Sequence, residues 1–465
     1  MRREQSRRLR VRWGGDGSRS HTLPLDTLIQ SRSSRDEKLS TNRDLELAMS
    51  PVLATSAIGR AVIAYDLPKV PGAQNALQEA GALLDMAAEI EHSLMVQYLY
   101  AGFAAVQSAA GQQPNKLLRD IAVEEMGHLL TVTNIRLLLG LEPYLRRQDE
   151  SPQEGFDPYP FALEPLSAAS LAKYVAAESP SENVELEPGD KKAFDDVLTR
   201  LKQKSGTLIH RVGLVYMRLF YLFQEDDNSD QEWREASIAA AWGEKWHIAD
   251  ADLVGGDARQ SDYIEWEEEE NFLGLKVVGK KSVREAIAKV AGQGEGGEQP
   301  AVGEPSHFLR FLRLFAAVES EVLSRPVPTM GADDITAEPA VTLTRLFDLR
   351  YEMLLVVLQR FFLASGATRK VLRVWCEDEM RLVLAGLYRL IVKHPREAGM
   401  DPAAAPAAPY FNMPSSPVPI DDASLLQRYA TAKHLSAAMI DLAVSMGVDK
   451  SDQAFKRIAA QDAAL

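Results

Sequence analysis

Glu125 and His128 stand three residues apart in the run Ile121-Ala-Val-Glu-Glu-Met-Gly-His-Leu-Leu130. In a helix that spacing puts both side chains on one face, one turn apart. A carboxylate and an imidazole so placed can grip one metal ion, and Glu-x-x-His pairs on bundle helices do this in di-iron and di-manganese proteins. The same pattern also arises by chance as a solvated surface pair. Here Ile121, Met126, Leu129, Leu130 and Val132 make the run apolar on several sides, so Glu125 or His128 should be at least partly buried. A buried carboxylate without a partner is costly, and a metal is one such partner.

The chain that must position this pair has 465 residues, 46% hydrophobic and 25% charged. That is enough for two or three domain-sized units of an ordinary soluble protein. A formal net charge of −14 argues against nucleic-acid binding, which wants a basic face. Cys376 is the sole cysteine, so an intrachain disulfide and a thiolate cluster are both excluded. Any metal must be held by oxygen and nitrogen. The cysteine count fits a reducing, cytoplasmic setting. No apolar run of about 18 residues marks a membrane span.

Residues 1–73 form a tail and linker, opening on Arg2, Arg3, Arg7, Arg8, Arg10 and Arg12. No apolar segment follows these arginines, which argues against an export signal. Residues 1–48 read as a disordered tail or an extension before a start at Met49. Leu77, Ala80, Leu83, Leu84, Ala87 and Ala88 recur at helical spacing, and the pattern runs over residues 74–110 through Glu89, Glu91 and His92. Gly111 and Pro114 close it, and the Glu125 helix follows to Gly140. Two long helices with a short link suggest an antiparallel pair. Residues 142–190 read as irregular wrapping with a short helix at 171–177. Further helices are expected over 191–224, 231–253 and 282–293, the second with another spacing match, Glu244 and His247. The acidic residues 265–270 read as a solvated run. A helix resumes at Ser306, a plausible N-cap. Residues 324–340 are loop; 341–363 and 370–393 are strongly helical; 422–463 close the chain with one or two helices. The expectation is an all-α protein, with a bundle over 74–320 and an additional helical region over 321–465.

Four short pieces carry a resemblance. They are Glu89-Ile-Glu-His92 with Gln97-Tyr-Leu-Tyr-Ala101, then Glu124-Glu-Met-Gly-His128, then Gln293-Gly-Glu-Gly296 with Ser306-His307-Phe308, and last the stretch Met380–Pro409 ending in Ala408-Pro-Tyr-Phe411. In this order the chain resembles the ferritin-like family of iminophenyl-pyruvate dimer synthases, whose members occur in bisindole pigment pathways. The resemblance implies a ferritin-like four-helix bundle with long loops, and a metal site built from Glu91, Glu125, His128, Glu295 and His307. Glu295 and His307 would stand for one Glu-x-x-His opened by an inserted loop. Their bland readings are an acid in a glycine-rich loop and a polar residue in a first helical turn. One position departs. Where the family carries an acid on its third bundle helix, this chain has Leu214 in His210-Arg-Val-Gly-Leu-Val-Tyr216. His210, four residues earlier on the same face, is a candidate substitute.

A carboxylate and imidazole set with open positions suits iron, one ion or two, or alternatively manganese. Such a centre implies an oxidoreductase acting with O2 on a small molecule, in the family's case an amino-acid-derived imine. Glu125 and Glu295 would be shared between metals; Glu91, His128 and His307 would be terminal. Tyr98 and Tyr216 read as packing residues near the centre, with a redox role as the alternative. Two other functions stay open: a non-catalytic scaffold or partner subunit whose site the change at Leu214 has crippled, and iron storage, which a chain this long fits poorly. No nucleic-acid or membrane partner is expected, and a homo-oligomer is left open.

Overall fold

In the computed structural model the described residues are 73–109, 111–147, 162–180, 184–205, 213–224, 247–295, 304–318, 321–329 and 334–465. Among them there are helices and no strands, which makes the protein all-α. Helix α1 (Ala76–Ala104) starts where the Asn75 side chain accepts from Gln78 N at 2.8 Å, an N-cap that satisfies an otherwise orphaned amide. Helix α2 (Pro114–Leu138) begins with proline, whose fixed φ and missing N–H suit a first turn. It stops at Gly140, whose φ of +72° lets Leu141 N reach back to Arg136 O at 2.9 Å. The two helices pack along each other, as the short link between them suggests.

Helix α3 (Ala168–Ala177) is fixed by a capping box in which Ser167 and Ser170 bond each other's backbone N–H groups. Helices α4 (Pro188–Ser205) and α5 (Gly213–Leu222) occupy the stretch expected as one helix over 191–224; residues 206–212, with His210, lie outside the described residues. Of the helix expected over 231–253, residues 225–246 lie outside them too, and the remainder is a 3-10 turn at Asp250–Asp252. Helix α6 (Lys280–Glu295) packs on α5 and α2, and α7 (His307–Val318) packs on α2, α3 and α4. The bundle walls are therefore α1, α2, α5 and the interrupted pair α6 and α7. Ser306 caps α7 by accepting from Leu309 N at 3.2 Å.

The apolar interior falls into two clusters. On α1, Ala76 to Ala88 belong to one and Leu94 to Ala104 to the other. The changeover falls at Glu91 and His92, so a polar layer crosses the bundle at mid-height. A buried Glu79–Arg218 pair, bonded through Nε and Nη2 of the guanidinium at 2.9 and 3.0 Å, ties α1 to α5.

Beyond the bundle come α8 (Ala340–Leu363), α9 (Gly366–Asp378), α10 (Ala385–Ile391), α11 (Asp422–Ser445) and α12 (Gln453–Ala464). The helix expected over 370–393 is broken by a π turn at Glu379–Leu384. Phe103 of α1 stacks on Tyr388 of α10 at 4.8 Å, and His92 bonds the Tyr351 hydroxyl of α8. The acidic run is not simply solvated. Glu265, Glu267 and Glu268 pair with Arg369, Arg373 and Arg381 on the α9 side, so the run anchors the 247–279 connection. That connection lies across α2 at Gly127, where a Cβ would sit 1.4 Å from the Phe272 carbonyl oxygen. Only glycine allows this approach.

Candidate metal centre

Glu91 from the middle of α1, Glu125 and His128 from α2, and His307 from the first turn of α7 converge in the polar layer, each 2% exposed or less. Donor atoms of Glu125, His128 and His307 all lie within 4.8 Å of one another. The two imidazoles stack, with centroids 5.4 Å apart and planes 23° from parallel. His128 Nδ1 is 2.9 Å from Glu125 Oε2 and 3.4 Å from Glu91 Oε2. His307 Nδ1 is 2.8 Å from the other Glu125 oxygen, Oε1.

A fifth group completes the cluster. Glu178, the C-cap of α3, is 2% exposed, and its Oε2 lies 3.9 Å from His307 Nδ1. Glu91, Glu125, His128 and Glu178 line a cavity of about 10 Å³, room for one water- or ion-sized sphere. The sequence signal for Glu178 is faint: a lone acid closing an otherwise apolar helical turn, Tyr174-Val-Ala-Ala-Glu178. Tyr98 and Tyr216 do more than pack. Tyr98 donates to Glu178 Oε1 at 2.6 Å, and Tyr216 donates to Glu91 Oε1.

Outside the cluster, His128 Nε2 meets Gln293 Oε1 at 2.7 Å and His307 Nε2 meets Glu124 Oε2 at 2.8 Å. Glu124 is also bonded by Arg310. Glu124 and Gln293 were not anticipated in these roles. Carboxylate and amide oxygens behind the imidazoles fix an N–H on Nε2, which turns Nδ1 inward toward the carboxylates. Metal-ligating histidines are commonly oriented this way.

Burial pushes the Glu91 carboxyl up to about 8, helped by the charge of Glu125. Glu178 is pushed up to about 7 by the same two causes. Burial also opposes charge on Glu125, but His307 and His128 outweigh it and hold its carboxyl well below the usual range. Burial likewise opposes charge on His307, yet Glu125 and Glu124 raise it to about 9. Three carboxylates and two imidazoles in one dry space thus keep protons between them, and a cation can replace those protons.

The donor set fits a cation on a further count. Glu91 Oε2, Glu125 Oε1 and His307 Nδ1 are buried with no hydrogen-bond partner, although the last two are 2.8 Å apart. Their contact is off the hydrogen-bonding direction. Buried polar atoms rarely go unsatisfied, and a cation between them would satisfy all three.

A family model described as Ferritin-like matches residues 84–316. The chain belongs to the ferritin-like family. The ferritin-like segment runs from within α1 to within α7 and contains every residue of the cluster. The chain is also 30% identical, over 152 residues, to the 2-imino-3-(indol-3-yl)propanoate dimerase of Chromobacterium violaceum. That match covers 26% of this chain and 15% of the relative, so it spans under a sixth of the relative's length. No solved structure matches.

Of the residues the resemblance implied for a ferritin-like site, Glu91, Glu125, His128 and His307 lie together. Glu295 ends α6 next to Gly294, which lines the cavity, but its side chain lies outside the described residues, as do His210, Leu214 and Glu244. His247 packs edge-on against Tyr221 at 5.2 Å and is not part of the cluster. Among the described residues no helix is long and apolar enough to cross a membrane.

Proposed function

We propose that this ferritin-like protein is a non-haem iron- or manganese-dependent oxidoreductase that acts with O2 on a small molecule. The observation that carries the reading is the set of three orphaned buried donor atoms, two of them on residues that line a cavity the size of one ion. Glu91, Glu125, His128, Glu178 and His307 would hold the metal, which when bound supplies the one-electron chemistry needed to reduce O2 and oxidise a substrate. The chain supplies the rest. Glu124 and Gln293 orient the imidazoles; Tyr98 and Tyr216 hold two carboxylates by one oxygen each and leave the other free. Leu94, Val290 and Ala291 add an apolar side to the wall.

The named activity of the Chromobacterium relative, dimerisation of an imine of an indolic amino acid, supports an amino-acid-derived imine as the substrate class. The acid missing at Leu214 was the ground for reading the centre as a crippled scaffold. Glu178, a further carboxylate at the cavity, supports a complete donor set despite Leu214. The test is anaerobic addition of Fe(II) or Mn(II) to metal-free protein, followed by elemental analysis and O2 uptake. Bound metal with O2 consumption supports the reading; protein that stays metal-free ends it.

A further inference from the structure

A cavity of about 400 Å³ lies outside the cluster, bounded by Arg325, Val392, Lys393, Pro402, Ala403 and Pro406. It sits where the far end of α1 meets the additional helical region. Arg325 N donates to the carbonyl of Ala104, the last residue of α1, at 3.1 Å. Glu91 is thirteen residues back along that helix, roughly 20 Å away at the rise of an α-helix. Backbone bonds hold the frame. Arg396 N donates to Ala405 O and Ala407 N to His394 O, both at 2.9 Å, and Ala403 N donates to the Asp401 carboxylate at 2.9 Å. Pro402 and Pro406 add two fixed φ angles. Small-molecule sites have this character: largely preformed, about 300–1,000 Å³, and mostly apolar with a few polar groups.

Both charged groups on the lining are cationic, in a chain of net charge −14. Arg325 is exposed, and among the described residues no carboxylate pairs with it. Lys393 is already shared with Asp452 at 3.3 Å, which leaves the guanidinium as the principal free charge. That charge also acts on Tyr388, one turn before Val392 on α10, whose buried hydroxyl has no hydrogen-bond partner. We propose that this cavity binds a small organic monocarboxylate with an apolar body. The carboxylate sits on Arg325, in the two-bond fork a guanidinium favours, and the body lies against Val392, Pro402, Ala403 and Pro406. A dianion such as a phosphate monoester meets too little positive charge here. The site is separate from the cluster, and its occupation requires no metal.

The experiment is calorimetric titration of the full chain, with saturation-transfer NMR of the ligand. The probes are 3-phenylpropanoate, its uncharged counterpart 3-phenylpropan-1-ol, and the dianion phenyl phosphate. The carboxylate should bind with a Kd below about 1 mM, the alcohol at least about tenfold more weakly, and phenyl phosphate no more tightly than the carboxylate. Arg325→Ala should weaken the carboxylate about tenfold or more and leave the alcohol unchanged. Arg325→Lys should fall between, since an ammonium keeps the charge and loses the fork. Lys393→Ala should cost only about two- to threefold, because its ammonium is shared. Ala403→Phe fills the apolar side and should weaken both carboxylate and alcohol. Arg325 and Ala403 are exposed, so these variants should fold, and circular dichroism checks that they do. Binding should be the same with and without Mn(II). No binding at millimolar carboxylate overturns the site. So does an alcohol or a phosphate ester bound as tightly as the carboxylate, or an affinity untouched by both Arg325→Ala and Ala403→Phe. Binding that needs Mn(II), or that Glu125→Ala abolishes in a folded chain, places the ligand at the cluster and overturns it as well.

Discussion

His128 and Gln293 are 165 residues apart in the chain and 2.7 Å apart in the fold, ring Nε2 to amide oxygen. The orientation of that amide is decided by its other end. Gln293 Nε2 donates to the backbone carbonyl of Asn271 at 2.7 Å, and a carbonyl can only accept. The amide oxygen therefore faces His128, which must carry its proton on Nε2 and present Nδ1 to Glu91 and Glu125. Asn271 also donates to Glu124 at 3.4 Å, so one chain of contacts runs behind both imidazoles.

Removing that acceptor should cost metal affinity without unfolding the bundle. Gln293→Leu is expected to weaken Fe(II) or Mn(II) binding about 10–100-fold, the usual cost of losing a group behind a ligating imidazole. Gln293→Glu keeps an acceptor and should stay much closer to wild type. Metal titration alongside circular dichroism checks both. Unchanged affinity in the leucine variant would mean that the tautomer is set elsewhere.

Metal-free protein should lose stability as pH rises from about 6.5 to 9. His307 is raised from its ordinary value to about 9, so its contribution is fully present below the unfolded value and fades as pH climbs through the folded one. Glu91 and Glu178, raised to about 8 and about 7, have the same sign: their neutral forms favour the fold, and that advantage is lost as they ionise. Glu125 has the opposite sign, but its window lies on the acid side of the ordinary carboxylate range. The combined loss should be on the order of several kcal/mol. Thermal melts across this range, with and without Mn(II), test it; metal should flatten the dependence, since it replaces the protons. A metal-free Tm that is flat from pH 6.5 to 9 would refute the assignment.

Gly127→Ala should be severely destabilising although it introduces one methyl group into a helix. The new Cβ would fall 1.4 Å from the Phe272 carbonyl oxygen. The connection cannot easily retreat, because Thr131 and Asn134 of α2 bond it at Leu273, Leu275 and Ser261. A loss of at least ~2–3 kcal/mol is expected. Metal affinity should fall with it, because Asn271 on the same connection steadies Gln293. Chemical denaturation and metal titration of the one variant measure both.

Arg350→Met should remove about 3–5 kcal/mol. Arg350 reaches Glu379 at 2.7 and 2.6 Å with neither side chain exposed, and it also bonds Asp462. Without the guanidinium, the π turn and α12 keep two carboxylates facing a buried space. Burial already pushes Glu379 up to about 6 despite Arg350. The variant should therefore recover part of its loss as pH drops and that carboxyl takes up a proton. Urea denaturation at pH 5 and pH 8 distinguishes this from a simple packing defect.

Much of the molecule could be read from local chemistry. The helical periods of α1, α2, α7, α8 and α11 are apparent from apolar spacing, and Glu125 with His128 needs only the pitch of a helix. Ser306 ahead of an apolar run marks the start of α7 and so places His307 in its first turn. Glu178 could not be found this way. Its neighbours state that a short helix ends there, and nothing local states that Tyr98, 80 residues earlier, waits for its carboxylate. The acidic run at 265–270 misled for the same reason: its partners, Arg369, Arg373 and Arg381, are about a hundred residues downstream.

By itself the sequence determined most of the helices, the all-α class and the pair of groups around which a metal centre could be built, because these depend on residues within a few turns of each other. Tertiary structure decided which further groups share that space: a carboxylate from α3, an amide from α6, an imidazole from α7. Convergence of that kind depends on how the helices pack, and each helix would keep its local pattern if turned to face solvent.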